Sequence, residues 1–531
     1  MILDLASLET DRSVSTDVLI IGGGIAGLLL AARLRDLAVP VVVLESGARE
    51  QEDAEHPLNR VVQLSQTYRG ATQGRFRCLG GTSTRWGGAL IPFLETDLAA
   101  RPHLGQPAWP VAFADLRPHI AGVETLFGID RGSYEEDFVR AGGGGRHVPV
   151  GDPDFLARFA KWPPFKKRNV ATLLERRIEA DAGLSIYLNA TATDFALGAA
   201  GGRLASVTAR HVGGRRITVS ARHVVVCAGA IESTRLLLLL DAQHSNQVFA
   251  SCAALGRYFH DHVSMPAAEI VARDVARLNR MAGFRFVGAT MRSLRFELAP
   301  AAQAADRVGS AFGHIAFASE RETGFDALRQ FLRHLQRKGG IDVKAALKVL
   351  QDLPYLAKLI YWRGAHRQLY WPVPARYELH IVAEQAPRAT NRISLAAETD
   401  AFGCPLAAID WRVEPPERAT IAAFARRFDA YWTRHGLQAL GDLRWLGDLS
   451  SEAADGTFGG SDVFHPGGTT RMGLDATTAV VDRDLRTFAV PNLWVASTSV
   501  FPSGASTNPT LMLMLLTSRL AERLGSELKR G

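Results

Sequence analysis

Six residues, Gly22-Gly23-Gly24-Ile25-Ala26-Gly27, narrow the folds open to this chain more than any other stretch. They follow a short apolar run, Val18 to Ile21, of the kind that forms a buried strand. A helical pattern comes next, Leu28 to Leu37, then a second apolar run, Val39 to Leu44, which ends in Glu45. Gly22 permits a tight turn. Gly24 leaves room for a pyrophosphate at the helix N-terminus, where free N–H groups and the dipole favour an anion. Gly27 lets the helix lie close on the strand. Glu45, eighteen residues after Gly27, is placed to accept hydrogen bonds from a ribose hydroxyl. A glycine turn alone is a weak signal. With strand, helix, second strand and acid all in register, the segment reads as a dinucleotide-binding unit, without separating FAD from NAD.

The rest of the chain must supply more than one further core. At 531 residues it is expected to form two to four domains. Its 47% hydrophobic and 22% charged residues are ordinary for a soluble globular protein. Cys78, Cys227, Cys252 and Cys404 show no CxxC pairing and read as thiols in a reducing compartment. The N-terminus lacks the basic and apolar regions of a signal peptide, and no window approaches eighteen uninterrupted apolar residues. The expected place is therefore the cytoplasm, or the cytoplasmic face of a membrane. The net charge of +7 comes with no basic, aromatic-interleaved cluster, which argues against nucleic acid as a partner.

A further glycine-rich loop and two distant segments of strand, small-residue loop and helix extend the theme. Arg77 to Gly88 is a second glycine-rich loop, in which Gly80, Gly81, Gly87 and Gly88 flank Thr82, Ser83, Thr84, Arg85 and Trp86. Such a loop is either a surface turn or backbone lying flat against a cofactor. Val224 to Ala228 is a strand ending at Gly229, with a helix from Ile231 to Leu240. Asn492 to Ala496 is a strand, Phe501 to Pro509 a loop, and Thr510 to Leu524 an amphipathic helix. Ser233 and Thr234 read as helix N-terminal residues rather than nucleophiles, and no Gly-x-Ser-x-Gly elbow accompanies a hydrolase triad.

Taken in order, GGTSTRWGG, VVVCAGAIESTRLLL (224–238), LGRYFHDH (255–262), EQAPRATNRISL (384–395), HPGGTTRMG (465–473), VVDRDLR (480–486) and NLWVASTSVFPSGASTNPTLM (492–512) resemble the glucose–methanol–choline (GMC) oxidoreductase family. The resemblance runs nearly end to end and says little about substrate. It implies an α/β fold of two parts. One is a discontinuous Rossmann-like FAD-binding domain from about 15–100, 185–265 and 460–531. The other is an α+β substrate domain from 101–184 and 266–459, a mixed sheet covered by helices. Runs Tyr377 to Ala383 and Arg392 to Leu395 are expected in that sheet. It also implies FAD as cofactor, with contacts from Gly22, Gly24, Ile25, Ala26, Gly27, Glu45, Ser46, Gly80, Gly81, Thr82, Ser83, Trp86, Gly87, Gly88, Ala192, Cys227, Ala228, Gly229, Ser497, Thr498, Asn508, Pro509 and Thr510.

Within the resemblance, His465 matches the family's His-Pro block, and Asn508 the histidine or asparagine before the last helix. Oxidising an alcohol removes a hydride from carbon and a proton from oxygen. Flavin N5 accepts the hydride, a histidine of ordinary pKa ~6.5 can take the proton, and an asparagine amide can hold the hydroxyl. The expected function is oxidation of a primary or secondary alcohol, such as a sugar or polyol hydroxyl, and the alternative is a lyase or other non-redox flavoprotein on the same fold. The electron acceptor is open between dioxygen, a quinone and a protein carrier. No metal is expected: His260 and His262 flank Asp261 but have no evident third ligand, and read as packing or support of the flavin domain. Arg85 stands where some relatives carry the histidine that links FAD covalently, so the cofactor is expected to be non-covalent. Gly467 and Thr470 also depart from the commoner residues of the block and bear on pocket shape. The resemblance is weakest at 325–367, a helical stretch with nine basic residues and three acids. It is either a solvated cover or a basic, aromatic-tipped surface for a membrane, a carrier or an oligomer contact.

Overall fold

The computed structural model describes all residues except 52–54, 144–146, 199–201, 320–352, 372–374, 448, 450–459 and 531. Three sheets organise it. The first has eight strands, and its centre is parallel: β1 (Ile2–Asp4), β6 (Leu184–Leu188), β3 (Val41–Leu44), β2 (Arg12–Ile21) and β9 (Arg216–Val226) lie in that order. The runs Val18–Ile21, Val41–Leu44 and Val224–Val226 are apolar at every position because both faces of these strands are covered. The antiparallel pair β7 (Thr191–Leu197) and β8 (Leu204–Arg210) extends the sheet beyond β9. A strand from the far end of the chain, β19 (Leu493–Val495), pairs in parallel with β9, Leu493 opposite Val224. Helix α1 (Ile25–Asp36) follows the glycine turn, and the C-terminal helix α6 (Thr510–Arg530) packs against it. Distant segments thus build one nucleotide-type unit.

The second sheet also has eight strands, and every pairing described in it is antiparallel. Its path is β11 (Arg285–Val287), β12 (Thr290–Leu298), β13 (Ala311–Ser319), β14 (Ala375–Glu384), β10 (His262–Ala272) and β17 (Gly441–Trp445). Off this path, β5 (Phe155–Trp162) pairs with β12 and β18 (Ser461–Asp462) with β10. Alternation assigns its faces. Leu294, Phe296 and Leu298 point into a core with Phe155 and with Phe424, Phe428 and Tyr431 of helix α5 (Pro415–Arg434). Edge-to-face contacts among these rings add about 0.5–1.5 kcal/mol each beyond area burial. The opposite face of β12, with Ser293, Arg295 and Glu297, is turned towards the first unit, as the Arg295–Asn508 and Ser310–Ser506 hydrogen bonds show.

Several expectations change. The run Arg392–Leu395 does not join the second sheet. It belongs to β15 (Arg392–Thr399) in a separate sheet with β16 (Pro405–Asp410) and β4 (Val61–Gln63). That sheet packs on helix α3 (Gly229–Gln243), where it covers Ile231 and Leu238. Ser233 and Thr234 lie in the body of α3, where the Ser233 hydroxyl accepts from the Ala228 amide and the Thr234 hydroxyl donates back to Ala230. Residues 101–184 divide between units: Trp109, Phe113, Val123 and Phe127 join the core of the first sheet, and β5 joins the second. Most of the basic stretch, through residue 352, lies outside the described residues. Its end is helix α4 (Leu353–Ala365), which buries Tyr355, Leu359 and Trp362 and exposes Ile360 and Tyr361. All four cysteines are free thiols. No described helix is long and apolar enough to cross a membrane.

Candidate active site

A cavity of about 530 Å³ runs from the glycine turn after β2 to the loop before α6. Its first end is a cradle that side chains would fill. Gly22 has φ +108°, and a Cβ there would lie 2.6 Å from the Cys227 carbonyl oxygen. Gly24 caps α1 without any side-chain hydrogen bond, which leaves the amides of the first turn facing the cavity. Glu45 is buried, and each carboxylate oxygen takes one backbone amide, from Gly23 at 2.7 Å and Gly47 at 2.8 Å. Burial pushes its carboxyl up, and those amides pull it down. One lone pair on each oxygen remains for a ribose. Uncapped amides, a glycine floor and an oriented acid are the donor set that an FAD pyrophosphate and ribose need, so the residues fit the cofactor.

All but three of the residues expected to hold the cofactor line this cavity. Gly27 stands behind it, where a Cβ would lie 1.9 Å from the Gly22 carbonyl oxygen and force the helix off its strand. Gly80, at φ +95°, turns the second glycine loop against Asn169. Ser83 is fully buried. Its hydroxyl donates to Gly80 and accepts from the Val170 amide at the start of helix α2 (Val170–Ala180), so it braces the loop instead of facing a ligand. Sequence reasoning missed the other wall, Arg75 and Arg77 with the buried Glu232. Nothing local marks that trio, since Glu232 lies on α3 and the arginines on a loop far upstream.

At the opposite end His465 and Asn508 meet, with Asn508 Nδ2 3.2 Å from His465 Nε2. His262, expected to pack or to support the flavin domain, is buried against His465. Its Nδ1 lies 2.8 Å from His465 Nδ1, and its Nε2 faces the carbonyl oxygens of Ala505 at 2.7 Å and Gly504 at 3.2 Å. Carbonyls only accept, so His262 carries its proton on Nε2 and offers a bare Nδ1. His465 must then donate from Nδ1, which leaves the lone pair of His465 Nε2 facing Asn508. The amide of Asn508 is oriented as well: its Oδ1 accepts from Arg295 Nη2, so Nδ2 faces the histidine. Burial drives the His465 imidazolium well below its ordinary range, with His262 and the cationic Arg295 acting the same way.

Asp261 ties the backbone of this cluster together. It accepts from the Tyr68 hydroxyl at 2.5 Å and from the amides of His262 and His465. Burial pushes its carboxyl up to about 7, and those donors oppose the shift. Phe464, at φ +66°, and Ala505, at φ +48°, are left-handed residues beside His465 and the Asn508 loop. Such strain persists only where the surroundings hold it. His260 is also buried, with its Nδ1 3.0 Å from the Tyr258 carbonyl, and burial lowers it to about 4. It precedes β10, which begins at His262, so the two histidines do not share a strand.

Models of the GMC oxidoreductases match residues 164–264 with their N-terminal part and 387–517 with their C-terminal part. The chain belongs to the GMC oxidoreductase family. A curated relative, 2-methyl-1,2-propanediol dehydrogenase of Mycolicibacterium austroafricanum, is 23% identical over 97% of this chain and 96% of its own length. Paromamine 6'-oxidase of Streptomyces fradiae is 26% identical over 27% of this chain and 24% of its own. Among solved structures, the formate oxidase of Aspergillus oryzae matches 97% of this chain and 99% of its own, with TM-score 0.59 at 15% identity. Pyridoxine 4-oxidase of Mesorbium loti also gives TM-score 0.59, at 16% identity over 96% and 99%. These structures share the fold. As a GMC oxidoreductase the chain is an FAD-dependent enzyme acting on CH–OH donors.

Proposed function

We propose that this GMC oxidoreductase oxidises a primary or secondary alcohol, on a sugar, polyol or similar small molecule, with His465 as the base and Asn508 as the hydroxyl anchor. Relatives named for a propanediol, paromamine and pyridoxine support an alcohol of this size. FAD, when bound, supplies the hydride acceptor. The observation that carries the assignment is the pairing of one bare acceptor with one donor at 3.2 Å. A hydroxyl both donates and accepts, so it can enter between them, giving its proton towards His465 Nε2 and receiving a hydrogen bond from Asn508 Nδ2. His262 is a positioning residue that keeps the Nδ1–H tautomer of His465 and so leaves Nε2 free to take the proton. Glu45 and the α1 N-terminus, across the cavity, would hold the far end of bound FAD.

The same reading makes FAD non-covalent. Arg85 cannot form a histidyl link, and its guanidinium lies over the Phe76 ring at 4.7 Å. Cys227 lines the cavity, but burial raises its thiol far above the range in which a thiolate forms. The test of function is anaerobic flavin bleaching by a panel of alcohols, polyols and sugars. His465→Ala should keep its flavin yet bleach roughly 100-fold more slowly or worse, the scale of a lost proton acceptor. A variant that bleaches as fast as the parent would remove His465 from the chemistry.

A further inference from the structure

Arg295 is 5% exposed, and the surroundings of its guanidinium leave one part of it unused. Nη2 donates to Asn508 Oδ1, and the Phe312 ring covers one face with its centroid 4.2 Å from Cζ. Nη1 is buried and has no protein partner. No carboxylate among the described residues reaches Arg295 within ion-pair distance. Glu297, two residues along the same strand, is bound to Arg158 Nη1 at 2.7 Å. Burial lowers Arg295 to about 10, so it remains a cation. The β12–β13 register, with Phe296 opposite Gly313 and Glu297 opposite Phe312, puts His314 beside Arg295 on the same face of the sheet. His314 Nδ1 is likewise buried and unpartnered. Beyond it, Glu378 is engaged by Arg376 at 2.9 Å and His380 at 3.2 Å, so its charge is answered.

The Glu297 charge nearby raises Arg295 but makes no ion pair with it, and charge-assisted bonds to carboxylates are the strong ones. From these two orphaned nitrogens beside the hydroxyl anchor we infer that the alcohol oxidised here is a hydroxy acid, whose carboxylate is held by Arg295 Nη1 and His314 Nδ1. This rests on the alcohol-oxidation reading above and narrows it. Asn508 is the ruler: its Nδ2 side meets the hydroxyl and its Oδ1 side meets Arg295. With hydrogen bonds of ~2.9 Å the hydroxyl oxygen and the guanidinium are roughly 5 Å apart. A carboxylate one or two carbons from the carbinol spans that gap. His314 would donate its Nδ1 proton to the second carboxylate oxygen, which fixes the acid in one plane over the sheet.

The experiment is anaerobic flavin reduction of the holoenzyme by matched pairs: a 2-hydroxy acid against the 1,2-diol of the same skeleton, and a hexuronate against its hexose. For at least one pair the acid should have a kcat/KM about 10- to 100-fold above its neutral partner, the scale of one charged hydrogen bond. In Arg295→Gln and in His314→Ala the acid-to-neutral ratio should collapse towards one, mainly through KM. Arg295→Lys, which keeps the charge but not the fork, should retain part of it. Acetate should compete with the preferred acid in the parent and not in Arg295→Gln. Neutral partners that match or exceed their acids in every pair, or a ratio unmoved by Arg295→Gln, would overturn the carboxylate subsite while alcohol oxidation stands. If no member of any pair bleaches the flavin, the alcohol reading itself falls.

Discussion

His262 shows how one side chain sets the chemistry of another. Its two carbonyl partners dictate its own proton, which dictates the proton on His465. His262→Ala removes the acceptor for His465 Nδ1 and releases the tautomer with Nε2 protonated. Flavin reduction should slow by at least about 10-fold, a part of the ~10²–10⁴ that a positioned base contributes. His262→Gln, whose side-chain oxygen can accept the same hydrogen bond, should recover some of the loss, which a packing role would not produce. The pH profile offers a second reading. The working His465 is neutral, and burial holds its imidazolium well below 6.5. Falling pH removes activity only when it passes through that depressed value, so the acid limb of kcat/KM should lie below pH 6.5. A limb at or above 6.5 in the parent would contradict the burial that the structure shows.

Among the elements, α1 and its strand turn carry the cofactor end, and their spacing is set by backbone contact. Gly27→Ala places a methyl 1.9 Å from the Gly22 carbonyl oxygen, against backbone that has no rotamer with which to yield. The helix must move off β2, and overpacking of this kind costs about 1–3 kcal/mol. The variant should purify with a reduced ratio of flavin to protein absorbance and unfold at a lower temperature. Ser83→Ala is the contrast: its hydroxyl joins Gly80 to the α2 start and does not face the cavity. The substitution should lower thermal stability with little change in the substrate KM. Strand β10 joins the two halves of the site, since it pairs with β14 and β17 along its length and presents His262 at its first residue.

At the scale of the molecule, the cavity lies where the first unit meets the second sheet, with its walls drawn from both ends of the chain. Anything that binds only the folded form stabilises it, by about 4 kcal/mol at a thousand times the dissociation constant. Stripping FAD should therefore lower the melting temperature by several degrees, and adding it back should restore it. With Arg85 in the second glycine loop and Cys227 held as a thiol, acid or heat denaturation should release all of the flavin into the supernatant. Flavin fluorescence that remains with the precipitated chain would show a covalent link.

The nucleotide unit was legible because its signal is local. Glycine spacing, apolar runs and an acid fall within about thirty residues, and each answers to a backbone requirement of its own neighbourhood. The pairing of His465 with Asn508 was legible through family motifs for a similar reason: both stand in short blocks of fixed composition. The proton assignment was not. It depends on His262, 203 residues before His465, and on Arg295, 213 residues before Asn508. An Arg in the strand MRSLRFEL looks the same in sequence whether a carboxylate answers it, as for Arg292, or nothing does, as for Nη1 of Arg295. Likewise the Ser83 hydroxyl could have faced the cofactor or the fold. Only the register of β12 on β13 and the packing of the first unit on that sheet decide which polar atoms are satisfied by the protein. Those left over are the ones available to a substrate, because burial removes water as their partner.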